Sequence, residues 1–230
     1  MKNSPEEVSL EKFVVERLPA LCVQSGDPDA GYALPPSSLE ALGRIVRERG
    51  ITKVFEFGSG RSTRMFLENG CEVAILENDP AWLEETLGSL EAGQRSRLDA
   101  VCRPQGVVFH RGTPFRSWAP DAWLIAKLSE AGLVLVDSPA CPPFREHALL
   151  LSLRYMRPGG LIVVDDARIP TVRRFCTRLA EKNGLGSYYS GIDHGLCFFA
   201  VNARQSLKTA RGLAETAKAW RRFFKLGGPA

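Results

Sequence analysis

Val54-Phe55-Glu56-Phe57-Gly58-Ser59-Gly60-Arg61-Ser62-Thr63 passes from an apolar run through two glycines into a polar segment that continues at helical spacing. The apolar half has the length and residue types of a short buried strand. Glycine at 58 and 60 lets the backbone turn sharply and approach a ligand, and the first N–H groups of a helix that follows point into the same crevice. Upstream, Ser37-Ser38-Leu39-Glu40 has the form of a capping box displaced by one residue, and Leu39, Leu42, Ile45 and Val46 recur at helical spacing until Gly50. Downstream, Ser62 to Asn69 reads as a helix closed by Gly70, followed by the strand Glu72-Val73-Ala74-Ile75-Leu76 and a helix from Pro80 through Leu90. Alternation of strand and helix predicts a parallel sheet with right-handed crossovers. The pattern goes on with a third strand at Val107-Val108-Phe109, a helix near Trp123 to Ala131 and the strand Leu133 to Val136. A helix from about Phe144 to Tyr155 then leads through Arg157-Pro158-Gly159-Gly160 into Leu161 to Val164. Such continuous apolar runs belong to strands covered by helices on both faces. After a helix from Thr171 to Lys182, Ser187 to Ile192 and Leu196 to Val201 are joined by Asp193-His194-Gly195, a connection so short that it makes a hairpin. The expected fold is therefore α/β and Rossmann-like: a doubly wound, mostly parallel seven-stranded sheet with a terminal antiparallel hairpin.

At 230 residues, 44% apolar and 24% charged, the chain suits one globular domain with extensions. Residues 1–36 read as an N-terminal extension and lid, 37–202 as the domain, and 203–230 as a basic amphipathic helix. No apolar run approaches the roughly 20 residues that cross a bilayer. The polar start Met1-Lys2-Asn3-Ser4-Pro5-Glu6-Glu7 lacks the apolar core of an export signal. Cys22, Cys71, Cys102, Cys141, Cys176 and Cys197 show no CxxC spacing and read as reduced thiols, so a cytoplasmic location is expected. From residue 203 onward seven basic residues face one acid, so the formal +4 divides into +6 for the tail and −2 for residues 1–202. A mildly acidic body offers no broad footprint for nucleic acid. The tail places Leu207, Ala210, Leu213, Ala214, Ala217, Trp220 and Phe224 on one helical face with the basic residues opposite, suited to docking on the body, on a second copy as a homodimer or on an anionic surface, with docking on protein the expectation.

Glu77 lies 21 residues after Glu56, at the end of the next strand, where an acid can accept hydrogen bonds from both ribose hydroxyls of an adenosine ligand. Strand, glycine loop, helix, strand and acid at this interval point to a nucleoside-type ligand. The segment from Val54 to Thr63 also resembles the first motif of the class I S-adenosylmethionine-dependent methyltransferases, an acid followed by Gly-x-Gly, with Ser62 standing where the pattern has a third glycine. Leu133 to Pro139 resembles the family's fourth-strand motif, and Arg157 to Asp166 its "PGG" turn and fifth strand. The resemblance spans roughly residues 37 to 201. It implies S-adenosylmethionine bound across Glu56, Gly58, Ser59, Gly60, Ser62, Thr63, Glu77 and Asn78, with Asp137 as the catalytic residue at the reacting end. The implied reaction is O-methylation of a small-molecule or glycan hydroxyl by direct displacement. A methyltransferase of RNA, or a catalytically silent interaction module working through the basic tail, are the alternatives.

In the metal-assisted O-methyltransferases that these motifs resemble, the acids matching Asp137, Asp165 and Asp166 hold a divalent ion, and hard oxygen ligands of this kind suit Mg2+ or Mn2+. Those enzymes carry a lysine base soon after the fourth-strand acid. Here the stretch is Ser138-Pro139-Ala140-Cys141-Pro142-Pro143-Phe144-Arg145, and arginine is no base at neutral pH. Asp166-Ala167-Arg168 is instead similar to the acid-and-base turn of the glucuronoxylan methyltransferases. Without an ion, Asp165 and Asp166 would serve as a helix N-cap pair ahead of Pro170. Asp137, His147 and His194 are the residues able to act as a base near this edge, and His110 follows the expected third strand. The loop from Gly26 to Pro36, with Tyr32, and the segment holding Trp118 and Trp123 are candidate covers of the substrate.

Overall fold

The computed structural model describes residues 9–23, 34–110, 112–139 and 144–202. The loop around Tyr32, Ala140 to Pro143 and the basic tail with its suggested dimer contact lie outside them.

An irregular helical stretch comes first: α1 (Leu10–Lys12), a wider π turn over Phe13–Arg17, and α2 (Leu18–Leu21). Then follow α3 (Pro36–Arg49), β1 (Lys53–Phe57), α4 (Arg61–Glu68), β2 (Glu72–Glu77), α5 (Pro80–Gly88), α6 (Ala92–Arg95), β3 (Leu98–Cys102), β4 (Gly106–His110) and β5 (Thr113–Ser117). The chain continues through α7 (Ala122–Glu130), β6 (Leu133–Val136), α8 (Arg145–Tyr155), β7 (Gly160–Val164), α9 (Pro170–Asn183), β8 (Ser187–Ser190) and β9 (Leu196–Val201). Seven strands form one sheet in the order β3-β2-β1-β6-β7-β9-β8. All neighbours are parallel except β9, which runs against both β7 and β8. The doubly wound sheet with its reversed terminal hairpin is as expected.

Two corrections concern the third strand and the first helix cap. The sheet's third strand is Leu98–Cys102, whereas the more apolar run Val107-Val108-Phe109 belongs to a separate hairpin formed by β4 and β5. Apolar content misleads here because β3 is a half-buried edge strand carrying Asp99, while Val107 and Phe109 face solvent at 38% and 60% exposure. The helix α3 starts at Pro36, and its first turn is capped from far away. Asp193 Oδ2 accepts from the backbone N–H and the hydroxyl of Ser38 at 2.7 and 2.8 Å. A partner 155 residues distant cannot be read from a local capping pattern.

The other boundaries follow local rules. Both long helices, α3 and α9, open on proline, whose fixed φ suits the first helical position, and stop at glycines in the left-handed region, Gly50 and Gly184. Alternate strand residues feed two cores. Phe55, Phe57, Leu76, Val136 and Val164 pack under α7, α8 and α9. Val54, Ile75, Leu135 and Val163 pack on the other face under α3, α4 and the N-terminal stretch, with Phe13, Val14 and Leu18 at 2% exposure or less. Each fully buried side chain of this size stabilises the fold by about 1.5–3 kcal/mol. Residues 10 to 21 are thus part of the packed body.

Candidate functional site

Strand register sets the site. Phe57 pairs with Leu76 on one side and Val136 on the other, and Val136 pairs with Val164. The residues that follow, Gly58, Glu77, Asp137 and Asp165, therefore emerge together at the carboxyl edge of the sheet, where its strand order reverses, the place where open α/β sheets bind ligands. They line a cavity of about 390 Å³, within the roughly 300–1,000 Å³ of small-molecule sites. A shallower groove of about 210 Å³ at the opposite strand ends holds charges already joined to one another, Lys53 with Glu72 and Glu130, and Lys127 with Asp99.

The glycine loop forms one wall. Gly58 and Gly60 have φ of 102° and 148°, and a Cβ on Gly58 would stand 3.2 Å from Ser138 Cβ. Glycine is required there by conformation and by close approach. Behind the loop, Thr63 Oγ1 donates to Glu56 Oε2 at 2.7 Å and accepts from the Gly60 N–H at 3.2 Å. Glu56 is 1% exposed. Burial pushes its carboxyl up to about 8, against the hydroxyls of Ser62 and Thr63 and with the help of Asp137 and Glu77. Its Oε1 has no hydrogen-bond partner among the described residues.

Glu77 braces the loop from the next strand. Its Oε1 accepts from the N–H groups of Asn78 and Asp79 at 2.6 and 3.0 Å, and its Oε2 from Ser59 Oγ at 3.1 Å. Trp82 Nε1 donates to the Ser59 carbonyl at 2.6 Å, which stands the indole beside Gly60 as a partly exposed aromatic wall. Asn78 Oδ1 accepts from Ser138 Oγ at 3.1 Å and from Gln105 Nε2 at 2.8 Å, tying the end of β2 to the turn after β6.

The opposite pole is acidic and built around Arg145, the first residue of α8, whose side chain is 5% exposed. Its Nη2 lies 3.1 Å from Asp137 Oδ1 and 2.9 Å from Asp166 Oδ2, and its Nη1 3.9 Å from Asp165 Oδ2. Nε donates to the Pro139 carbonyl at 3.2 Å. Burial raises the carboxyls of both Asp137 and Asp165, Asp165 well above the usual range, and Arg145 opposes the rise in each. A hydrogen bond with Asp165 works with Arg145 against the rise at Asp137. His194 completes the pole, with Nδ1 3.8 Å from Asp166 Oδ1. The hairpin turn that carries it is held by Ala167 and Arg168, whose N–H groups donate to the Gly195 and His194 carbonyls at 2.8 Å each.

No family model matches the chain, and no curated protein does. Among solved structures the chain is similar to an O-methyltransferase of Bacillus cereus determined in complex with S-adenosylhomocysteine, at 13% identity over 83% of this chain and 90% of that one, TM-score 0.54. It is also similar to a methyltransferase of Geobacter sulfurreducens, at 12% identity over 78% and 92%, TM-score 0.57. An S-adenosylhomocysteine-bound methyltransferase of Podospora anserina aligns at 15% identity over 81% and 86%, TM-score 0.55. The chain has the class I methyltransferase fold.

Within this methyltransferase fold, the residues singled out from the sequence divide into two groups. Gly58, Ser59, Gly60, Ser62, Glu77, Asn78, Asp137, Asp165 and Asp166 line the cavity, whereas Glu56 and Thr63 stand behind the loop and hold its shape. Asp165 and Asp166 cap no helix, since Ile169 is the N-cap of α9. His147 is buried with Nδ1 2.9 Å from Ser117 Oγ, and its burial, with His110 nearby, pushes it down to about 4, so it stays neutral and structural. His110 belongs to the β4–β5 hairpin, its ring 6.3 Å from that of His147, not to the end of the third sheet strand. Trp118 and Trp123 pack as core, Trp118 stacked on Phe57 and Trp123 against Phe55. Trp82 and the central position of Arg145 were not legible. The cue for Trp82 was its place in the helix that follows the ribose-type acid.

Asp165, Asp166 and His194 bring one ligand atom each within 4.8 Å of one another, a spacing that a metal ion accepts. Asp137, the third expected ligand, is not in that group, and the Arg145 guanidinium already lies among these carboxylates. Among the described residues no helix is long and apolar enough to cross a membrane.

Proposed function

We propose that the chain is an S-adenosylmethionine-dependent methyltransferase acting on a hydroxyl of a small molecule or glycan. The observation that carries this reading is the cavity in which a positive-φ glycine loop faces Glu77 at one end and Asp137 at the other, on a fold shared with structures that hold S-adenosylhomocysteine. S-adenosylmethionine supplies an electrophilic methyl on a sulfonium, which an oxygen takes by in-line displacement.

Alignment matters more than acid-base power in such a transfer. The Gly58 to Gly60 backbone comes close to the ligand because neither glycine carries a Cβ, and Glu77, its carboxylate oriented by two backbone N–H groups and Ser59, receives the ribose hydroxyls. Trp82 and Leu34 supply apolar wall that displaces water. Asp137 takes the proton of the acceptor hydroxyl. Its raised carboxyl makes it a stronger base than an ordinary aspartate.

Calorimetric titration with S-adenosylhomocysteine tests the cofactor: micromolar binding is expected, weakened about 10- to 100-fold in Glu77→Ala through the loss of charge-assisted hydrogen bonds. Absence of binding to the wild type would refute the reading and promote the silent interaction module. Transfer of labelled methyl to a panel of phenols and sugar hydroxyls, lost in Asp137→Asn while S-adenosylhomocysteine still binds, tests the acceptor chemistry.

A further inference from the structure

We propose that Arg145 takes the place of a divalent cation at the reacting end of the site, so that the acceptor is held through a single hydroxyl and not by chelation of two vicinal oxygens; this rests on the methyltransferase reading above. Three carboxylates converge here from the ends of β6 and β7, and crowding of this kind demands a positive partner. The guanidinium is that partner: it lies within hydrogen-bond distance of Asp137 and Asp166 and 3.9 Å from Asp165, almost wholly buried.

Its position is built. The residue is the first of α8, and its Nε is fixed on the Pro139 carbonyl, so the fork cannot swing out without breaking that contact. Arginine stays charged at any working pH and matches carboxylates with planar, directed donors. A divalent ion ligated by Asp165 and Asp166 would stand next to this fixed positive charge and compete with it for the same oxygens. The remaining groups also fit a hydroxyl. Asp137, whose side chain is 25% exposed, lines the cavity and accepts from a hydroxyl there, whereas Arg145 Nη1 and Asp165 Oδ1 are buried and have no hydrogen-bond partner among the described residues. A hydroxyl, or a water relaying to it, both accepts and donates.

The test follows Mn2+ uptake by electron paramagnetic resonance of the full chain, alongside S-adenosylhomocysteine titration with EDTA or with Mg2+. The wild type is expected to leave Mn2+ in solution up to millimolar ion, with S-adenosylhomocysteine affinity the same in both buffers. Arg145→Gln is expected to take up the ion at least about tenfold more tightly than the wild type, because it removes a positive charge that repels the ion at these carboxylates, and the added change Asp165→Asn to abolish that uptake. Stoichiometric uptake by the wild type that Asp165→Asn removes would overturn the proposal, as would a folded Arg145→Gln, judged by its melting transition, that takes up none. If Arg145→Gln does not fold, the wild type and Asp165→Asn decide: no uptake by the wild type supports the proposal. Loss of S-adenosylhomocysteine binding in the wild type would strike the methyltransferase reading instead, because the Mn2+ readings need no cofactor.

Discussion

Replacing Glu56 by glutamine tests the electrostatics of the glycine loop directly. The carboxyl rises from an ordinary 4.5 to about 8 on folding because it is buried and has few compensating donors. The native state therefore binds more protons than the unfolded chain between these two values, and stability must fall as pH climbs through that window. It is fully present below pH 4.5 and the loss is complete above about 8. At 1.36 kcal/mol per pH unit the full loss is roughly 4 to 5 kcal/mol. Glutamine keeps an oxygen to accept from Thr63 but cannot ionise, so Glu56→Gln removes this slope while Asp137 and Asp165 still contribute theirs. Urea unfolding followed by tryptophan fluorescence from pH 5 to 9 measures the difference. With a urea dependence of about 2 kcal/mol per molar, the two midpoints should separate by roughly 2 M across the range. If the wild-type and Glu56→Gln curves stay parallel from pH 5 to 9, Glu56 does not keep its proton in the fold and the reasoning fails.

Three further substitutions probe the frame that holds the site. Asp193→Ala removes two hydrogen bonds from the first turn of α3 and should cost about 2 to 4 kcal/mol of unfolding free energy, read as a lower urea midpoint; a change within experimental scatter would mean the cap is dispensable. Leu18→Ala empties a fully buried position of the N-terminal stretch and should cost about 2 to 5 kcal/mol, whereas a mere lid would lose none of the melting temperature. Gly58→Ala forces a side chain to φ 102° and to 3.2 Å from Ser138. The expected result is S-adenosylhomocysteine affinity reduced about tenfold or more, from strain of about 1 to 3 kcal/mol, and unchanged calorimetric binding would refute the close approach.

What was legible in the chain divides by the range of the interaction that fixes it. The strands β1, β2, β6 and β7 are continuous apolar runs, so their order, their parallel pairing and the convergence of Gly58, Glu77, Asp137 and Asp165 at one edge follow from pattern and topology. Edge elements carry no such signal: β3 is half buried and holds Asp99, so its strand nature rests on pairing with β2, and the exposed Val107 and Phe109 mimic a core strand. Long-range polar contacts were equally hidden. Asp193 caps a helix 155 residues away, and nothing near Ser38 announces it.

Arg145 shows the same limit at the centre of the site. Read along the chain, an arginine after Pro142-Pro143-Phe144 is one more basic residue at a helix start, where the macrodipole even disfavours it. Only the folding of β6, β7 and the Asp193 to Gly195 turn onto one edge gives it a reason to be there, because three acids that repel one another in isolation become a binding site for one buried cation. The preference is mutual. The carboxylates compensate the guanidinium for the water it loses, and the guanidinium opposes the rise that burial imposes on Asp137 and Asp165. Removing either partner leaves a buried charge uncompensated. The acidic pole is therefore a unit, and the strength of Asp137 as a base is set first by its burial, which raises its carboxyl, and then by Arg145, which opposes that rise.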